Sequence, residues 1–170
     1  MGNYSNSLSL WGESLGGIVR MYMCEVINKR SMNFAGINHS GPLSDFPDAC
    51  VRVELELYSR KQDFTQIINP HICYSPHYEK GNLGTYWACF EVEGSVAIPL
   101  GVTTFALPEQ KYAVVVCNGS TIAEAYQWVY KWIEETGIQR KLDMYEIECY
   151  YKNIEDDTLE EKVEIWVPVA

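Results

Sequence analysis

The segment YEIECYY at residues 145–151 carries the chain's clearest candidate for chemistry. Side chains alternate along a strand, so Glu146, Glu148 and Tyr150 share one face while Tyr145, Ile147 and Cys149 take the other. Two carboxylates beside a phenol, in a strand otherwise aromatic and apolar, either face water or line a site that wants negative charge. On a face walled by aromatic rings, an ionised carboxylate is costly without a partner. A cationic ligand offsets that cost, and aromatic faces over the cation add about 0.5–2 kcal/mol. Glu148 is a candidate for that role. Glu146 is placed nearer the rim, because two like charges deep in one site oppose each other's ionisation. Trp87, Tyr112, Tyr150 and Trp166 are the candidate walls, with Phe34 a weaker one.

Other reactive side chains form no recognisable constellation. His71 and His77 flank a proline-containing segment with Cys73 between them, and His39 is distant; this spacing does not describe a metal site. Ser120 lacks a nearby acid–histidine pattern and reads as a helix cap. The six cysteines are scattered without a CxxC, most of them in apolar runs, as expected of buried free thiols in a cytoplasmic protein. No cofactor is called for.

The elements that must position these residues are mostly short strands. CEVINKR (24–30) and MNFAGINHSG (32–41) read as two strands joined by a tight turn, and residues 41–47 as loop. Residues 70–79 read as a short strand and a proline turn, and GTYWACFEVEG (84–94) as a strong strand. Residues 102–119 read as a hairpin turning at LPEQK, and YEIECYY and KVEIWVPV as the closing strands. STIAEAYQWVYKWIEETG (120–137) is a helix with Ile122, Ala125, Tyr126, Val129 and Ile133 on its buried face and Gly137 ending it. Residues 48–62 alternate like a strand at Val51, Val53, Leu55 and Leu57, but also show a helical stripe at Cys50, Val51, Leu55 and Tyr58. The chain repeats: INKRSMNFAGINHSG parallels LPEQKYAVVVCNGS, each followed by a candidate helix and two strands. That repeat assigns 48–62 to helix. The expected fold is α+β, with duplicated β-α-β-β units related by a pseudo-twofold axis. Their antiparallel sheets form a central groove, with the helices on the opposite side. Residues 1–20 form an N-terminal arm and 21–170 the domain, with halves of about 21–94 and 95–170.

Composition narrows the partners. At 170 residues and 47% apolar, with 12 tyrosines and 5 tryptophans, the chain is long enough for a sizeable core. A formal net charge of −10 without basic clusters argues against nucleic acid. No apolar run approaches a membrane span, and the N-terminus lacks the features of a signal peptide.

Several stretches carry a family resemblance: NKRSMNFAGINHSGP (28–42), YWACFEVEG (86–94), residues 107–137, and YEIECYY followed by KVEIWVPV. Over roughly residues 22–169 the chain resembles the GyrI-like, or AraC-type effector-binding, domain found in bacterial multidrug-responsive regulators and in stand-alone proteins. It resembles a stand-alone member, because only about 20 residues precede the domain. Trp87 stands where an aspartate often opens the middle motif. The resemblance implies SHS2-type modules flanking a groove that binds hydrophobic, often cationic aromatic compounds. The family's groove glutamate falls on Glu148. It also implies an alternative: some stand-alone members are hydrolases that open strained cyclopropane-bearing alkylators. Glu148 would then act as general base, assisted by Tyr112 or Tyr150. A third class is an inhibitor of a DNA-handling enzyme, a protein partner for which the acidic loop at 155–161 would matter.

Overall fold

β1 (Cys24–Lys29) and β2 (Met32–Pro42) are separated by two residues, and so are β5 (Thr103–Leu107) and β6 (Gln110–Asn118). Neither pair forms a hairpin. In this computed structural model, which describes residues 22–94, 97–152 and 161–170, β1 pairs with β6 and β5 pairs with β2. The other strands are β3 (Ile72–Lys80), β4 (Leu83–Glu91), β7 (Glu146–Tyr151) and β8 (Lys162–Pro168). All eight form one antiparallel sheet in the order β1-β6-β8-β7-β3-β4-β2-β5. The order reads alike from both edges, with the β7–β3 pair at its centre. It is the pseudo-twofold arrangement expected from the internal repeat, with one edge strand exchanged between the two sides.

This connectivity forces the sheet to curl. β1 and β2 stand six places apart, about 29 Å on a flat sheet, yet the peptide steps from Lys29 to Met32 span at most about 11 Å. The same holds for β5 and β6. The concave side is filled by one apolar cluster that includes Phe34, Tyr74, Trp87, Tyr112, Ile147 and Trp166, with Ile27 and Phe105 packed against it from the edges.

The convex side carries the helices. α1 (Asp48–Ser59) buries Ala49, Val53 and Leu57 over Ile37, Ala88 and Phe90. The burying stripe runs at every fourth residue. It leaves Val51 and Leu55 exposed, unlike the stripe through Cys50, Val51, Leu55 and Tyr58 expected from the sequence. α2 (Ile122–Thr136) buries Ala125, Val129 and Ile133 over Ala113, Val115, Val163 and Ile165. Its entry is a short 3-10 turn, Gly119–Thr121, closed by reciprocal bonds between Asn118 and Thr121 rather than capped by Ser120. It ends at Gly137, whose φ of 71° is the left-handed conformation that favours glycine.

The α+β class, the antiparallel sheet and both helices agree with the reading from sequence. The groove does not lie where that reading placed it. It opens on the helix-bearing face, between α1 and α2, because the curl closes the opposite face around the aromatic core. β3 also runs unbroken through Pro76, where a turn was expected. It pairs with β4 at Tyr74 and again from His77, the gap falling where Pro76 has no N–H to offer. The expected arm at 1–20 and nearly all of the acidic loop at 155–161 lie outside the described residues.

Candidate functional site

Between the two helices lies a cavity of about 870 Å³. Its floor is the central strand pair, where Ser75 of β3 stands opposite Glu148 of β7 and His77 opposite Glu146. One wall is α1 with the loop before it, through Phe46, Cys50 and Glu54; the other is α2, through Tyr126 and Tyr130. The segment before β7 adds Arg140, Leu142 and Met144. Gly84 in β4 belongs to the lining because the loop packs over it: a Cβ there would meet Leu43 Cδ2 and Phe46 Cε2 at 3.0 Å.

Strand parity places Glu146, Glu148 and Tyr150 together on this face, as read from the sequence. Glu148 receives two phenols: Tyr126 Oη donates to Oε1 at 2.8 Å, and Tyr150 Oη donates to Oε2. No ion pair reaches it among the described residues. Glu146 is differently furnished. Arg140 contacts Oε1 at 2.6 Å, Tyr130 donates to Oε2 at 2.7 Å, and His77 Nε2 lies 3.7 Å from Oε2. Burial opposes its charge, but these partners together hold the carboxyl below its ordinary range. Arg140 also lies 4.0 Å from the Tyr130 ring centre, so the guanidinium is fixed on two sides.

His77 joins the two carboxylates. Its Nδ1 meets the Ser75 carbonyl at 3.2 Å and its Nε2 meets Tyr126 Oη at 3.1 Å. A carbonyl can only accept, so Nδ1 carries a proton. Tyr126 has one hydroxyl hydrogen, given to Glu148, so Nε2 donates as well. The geometry is that of an imidazolium. Burial works against that charge, yet Glu146 and Glu148 raise the pKa of His77 above its usual value.

Across the cavity, Glu54 accepts from Tyr86 Oη at 2.5 Å. Burial is the largest influence on Glu54 and raises its pKa. Cys50, one turn earlier on α1, is pushed up to about 11 by burial and then by Glu148 and Glu54; it is a neutral thiol at physiological pH, not a nucleophile.

The structure does not bring all the expected walls to the cavity. Phe34, Trp87, Tyr112 and Trp166 lie on the concave face, packed in the core. Their aromatic character was read correctly, but their strand parity opposes that of Glu148. Tyr112 is therefore on the wrong side of the sheet to assist Glu148 in catalysis; Tyr150 is in contact with it. The rings that line the cavity are Tyr78, Tyr86, Tyr126, Tyr130 and Tyr150, with Phe46 and His77. Tyr86 was legible in principle: it neighbours Trp87 in sequence and has the opposite parity. Tyr126 lies in the stripe that the sequence assigns to the buried face of α2. Glu54 had no local signal, because its role depends on how α1 faces α2. Among the described residues, no group of histidine, cysteine and carboxylate side chains is arranged to hold a metal, and no helix is long and apolar enough to cross a membrane.

Residues 22–170 match the family described as the GyrI-like small molecule binding domain. No curated protein matches the chain closely enough to count as a relative. Similar solved structures include the EcmrR C-terminal domain, at 17% identity and a TM-score of 0.71 over 89% of this chain and 99% of that one. SAV2435 bound to tetraphenylphosphonium is similar at 16% identity and a TM-score of 0.65, over 87% and 94%. A hydrolase from Listeria innocua is similar at 12% identity and a TM-score of 0.56, over 86% and 91%.

Proposed function

The chain belongs to the GyrI-like small molecule binding domain family, and from that premise we propose that it binds amphipathic aromatic cations in the cavity between α1 and α2, with Glu148 supplying the charge. One observation carries the reading. Glu148 is held by two phenols and by no cationic side chain at ion-pair distance among the described residues, whereas its neighbour Glu146 is matched by Arg140. Tyrosine hydroxyls stabilise a carboxylate without neutralising it. A partly buried charge left in this state favours a positive ligand. Tyr86, Tyr126 and Tyr150 offer apolar ring surface around it, and SAV2435, similar in fold, is a protein bound to an aromatic cation. The function is sensing or sequestration of such compounds. The experiment is thermal unfolding with increasing tetraphenylphosphonium. A midpoint that rises with ligand concentration in the wild type, and far less in Glu148→Gln, supports the reading; equal shifts in both refute it.

A second reading rests on the same carboxylate. Ionised Glu148 has lone pairs beyond the two that Tyr126 and Tyr150 engage, so it can accept a proton from water as a general base. On that reading the protein is a hydrolase of strained electrophiles, with Tyr150 holding the base in place. Product analysis with a cyclopropane-bearing alkylator decides it: hydrolysed product that disappears with Glu148→Gln supports turnover, and recovery of intact compound leaves binding alone.

A further inference from the structure

We propose that the cavity is built for ligands bearing two cationic centres, one taken by Glu148 and the other by Glu54. This rests on the cation-binding reading of Glu148 and adds a second subsite on the opposite wall. Four acids line the cavity: Glu54, Glu146 and Glu148, which are partly buried, and Glu79, which is solvent-exposed near the end of β3. Glu146 is already neutralised by Arg140 at 2.6 Å. Glu148 and Glu54 have no cation at ion-pair distance among the described residues; each is held by tyrosine hydroxyls, and the His77 imidazolium reaches Glu148 only through Tyr126. Lys152 acts on Glu54 only from longer range and is itself paired with Glu161 at 2.6 Å.

The two unmatched carboxylates are separated by the floor. Tyr86, which anchors Glu54, stands on β4; Glu148 stands on β7, with β3 between them. Two strand spacings put the anchors about 10 Å apart. They nevertheless share one electrostatic space, since Cys50 responds to both and Glu148 opposes the ionisation of Glu54. His77 on β3 stands between the two anchoring strands, its ring stacked on that of Tyr86 with centroids 6.4 Å apart. The volume of about 870 Å³ is near the upper end for small-molecule pockets and accommodates a flat spacer joining two charges. A monocation leaves one carboxylate unmatched; a dication with an aromatic spacer matches both.

The test is calorimetric titration with two compounds of one ring framework: 1,1′-dimethyl-4,4′-bipyridinium, a dication, and 1-methyl-4-phenylpyridinium, a monocation. The wild type should bind the dication at least tenfold more tightly. Glu54→Gln, which keeps an acceptor for Tyr86, should lower that ratio about tenfold, whereas Glu148→Gln should weaken both compounds. Equal affinities in the wild type overturn the inference without recourse to any variant, and so does a ratio unchanged by Glu54→Gln in a protein that unfolds at its normal temperature. If the monocation binds through Glu148 while the ratio is near one, the second subsite alone is lost. If neither compound binds, both readings fall.

Discussion

Tyr126 and Glu148 meet across 2.8 Å, phenol to carboxylate, and this contact ties α2 to the centre of the sheet. The same hydroxyl lies 3.1 Å from His77 Nε2. The floor of the cavity is therefore one connected chain, from the Ser75 carbonyl through His77 and Tyr126 to Glu148 and on to Tyr150. Charge introduced at either end is felt along it.

Removing the central hydroxyl should break the chain without emptying the cavity. Tyr126→Phe keeps the ring and leaves His77 Nε2 and Glu148 Oε1 each short of a partner. The expected cost is about 1–3 kcal/mol, read by urea unfolding. NMR titration should show the His77 pKa falling towards its ordinary value in the variant.

His77 and Glu146 make stability depend on pH in a defined way. His77 has a raised folded pKa, so its contribution is complete below the unfolded value of about 6.5 and is lost as pH rises through the folded value. Glu146 has a lowered folded pKa, so its contribution is present above about 4.3 and is lost as pH falls through the folded value. The imidazole is faced by Glu146 and Glu148 from β7, Tyr126 from α2 and Tyr86 from β4. The difference in unfolding temperature between wild type and His77→Gln should be largest between about pH 5 and 6.5. It should shrink at higher pH.

Arg140 masks one carboxylate. Arg140→Met removes the 2.6 Å contact with Glu146 and leaves a partly buried acid to Tyr130 and His77. Stability should fall by about 1–3 kcal/mol. Affinity for an aromatic cation should rise severalfold, measured by calorimetry, because the cavity gains an unmatched negative charge.

The concave aromatic cluster should matter for folding and not for the ligand. Trp166→Ala removes a ring that is only 4% exposed and packs on Tyr74 and Tyr112, at an expected cost of about 3–5 kcal/mol. Tyr112→Phe, on the same face, should leave cation affinity within twofold of the wild type.

Much of this architecture was visible in the residues. Strand parity within YEIECYY was enough to group Glu146, Glu148 and Tyr150. The repeat recovered α1 despite its strand-like alternation, because the α2 counterpart is unambiguous. What sequence could not supply was the closure of the sheet. The two-residue links at 30–31 and 108–109 look like hairpin turns, and only the exchange of β1 and β5 between the two sides reveals that they span a curled sheet. That curl decides which face becomes core. It sends Trp87 and Trp166 inward and leaves Tyr86, Tyr126 and Glu54 to furnish the cavity. The contribution of α1 was hidden for a related reason: Glu54 looks like any helix-surface acid until Tyr86 is found beside it.

The proposed function requires that Glu148 select for positive charge. The most direct measurement is calorimetric titration of the wild type and Glu148→Gln with tetraphenylphosphonium and tetraphenylborate, which share a shape and differ in sign. Micromolar binding of the cation is expected, with about tenfold weaker binding in the variant and little or no binding of the anion. Equal affinity for both ions, or a cation affinity indifferent to Glu148→Gln, would contradict it.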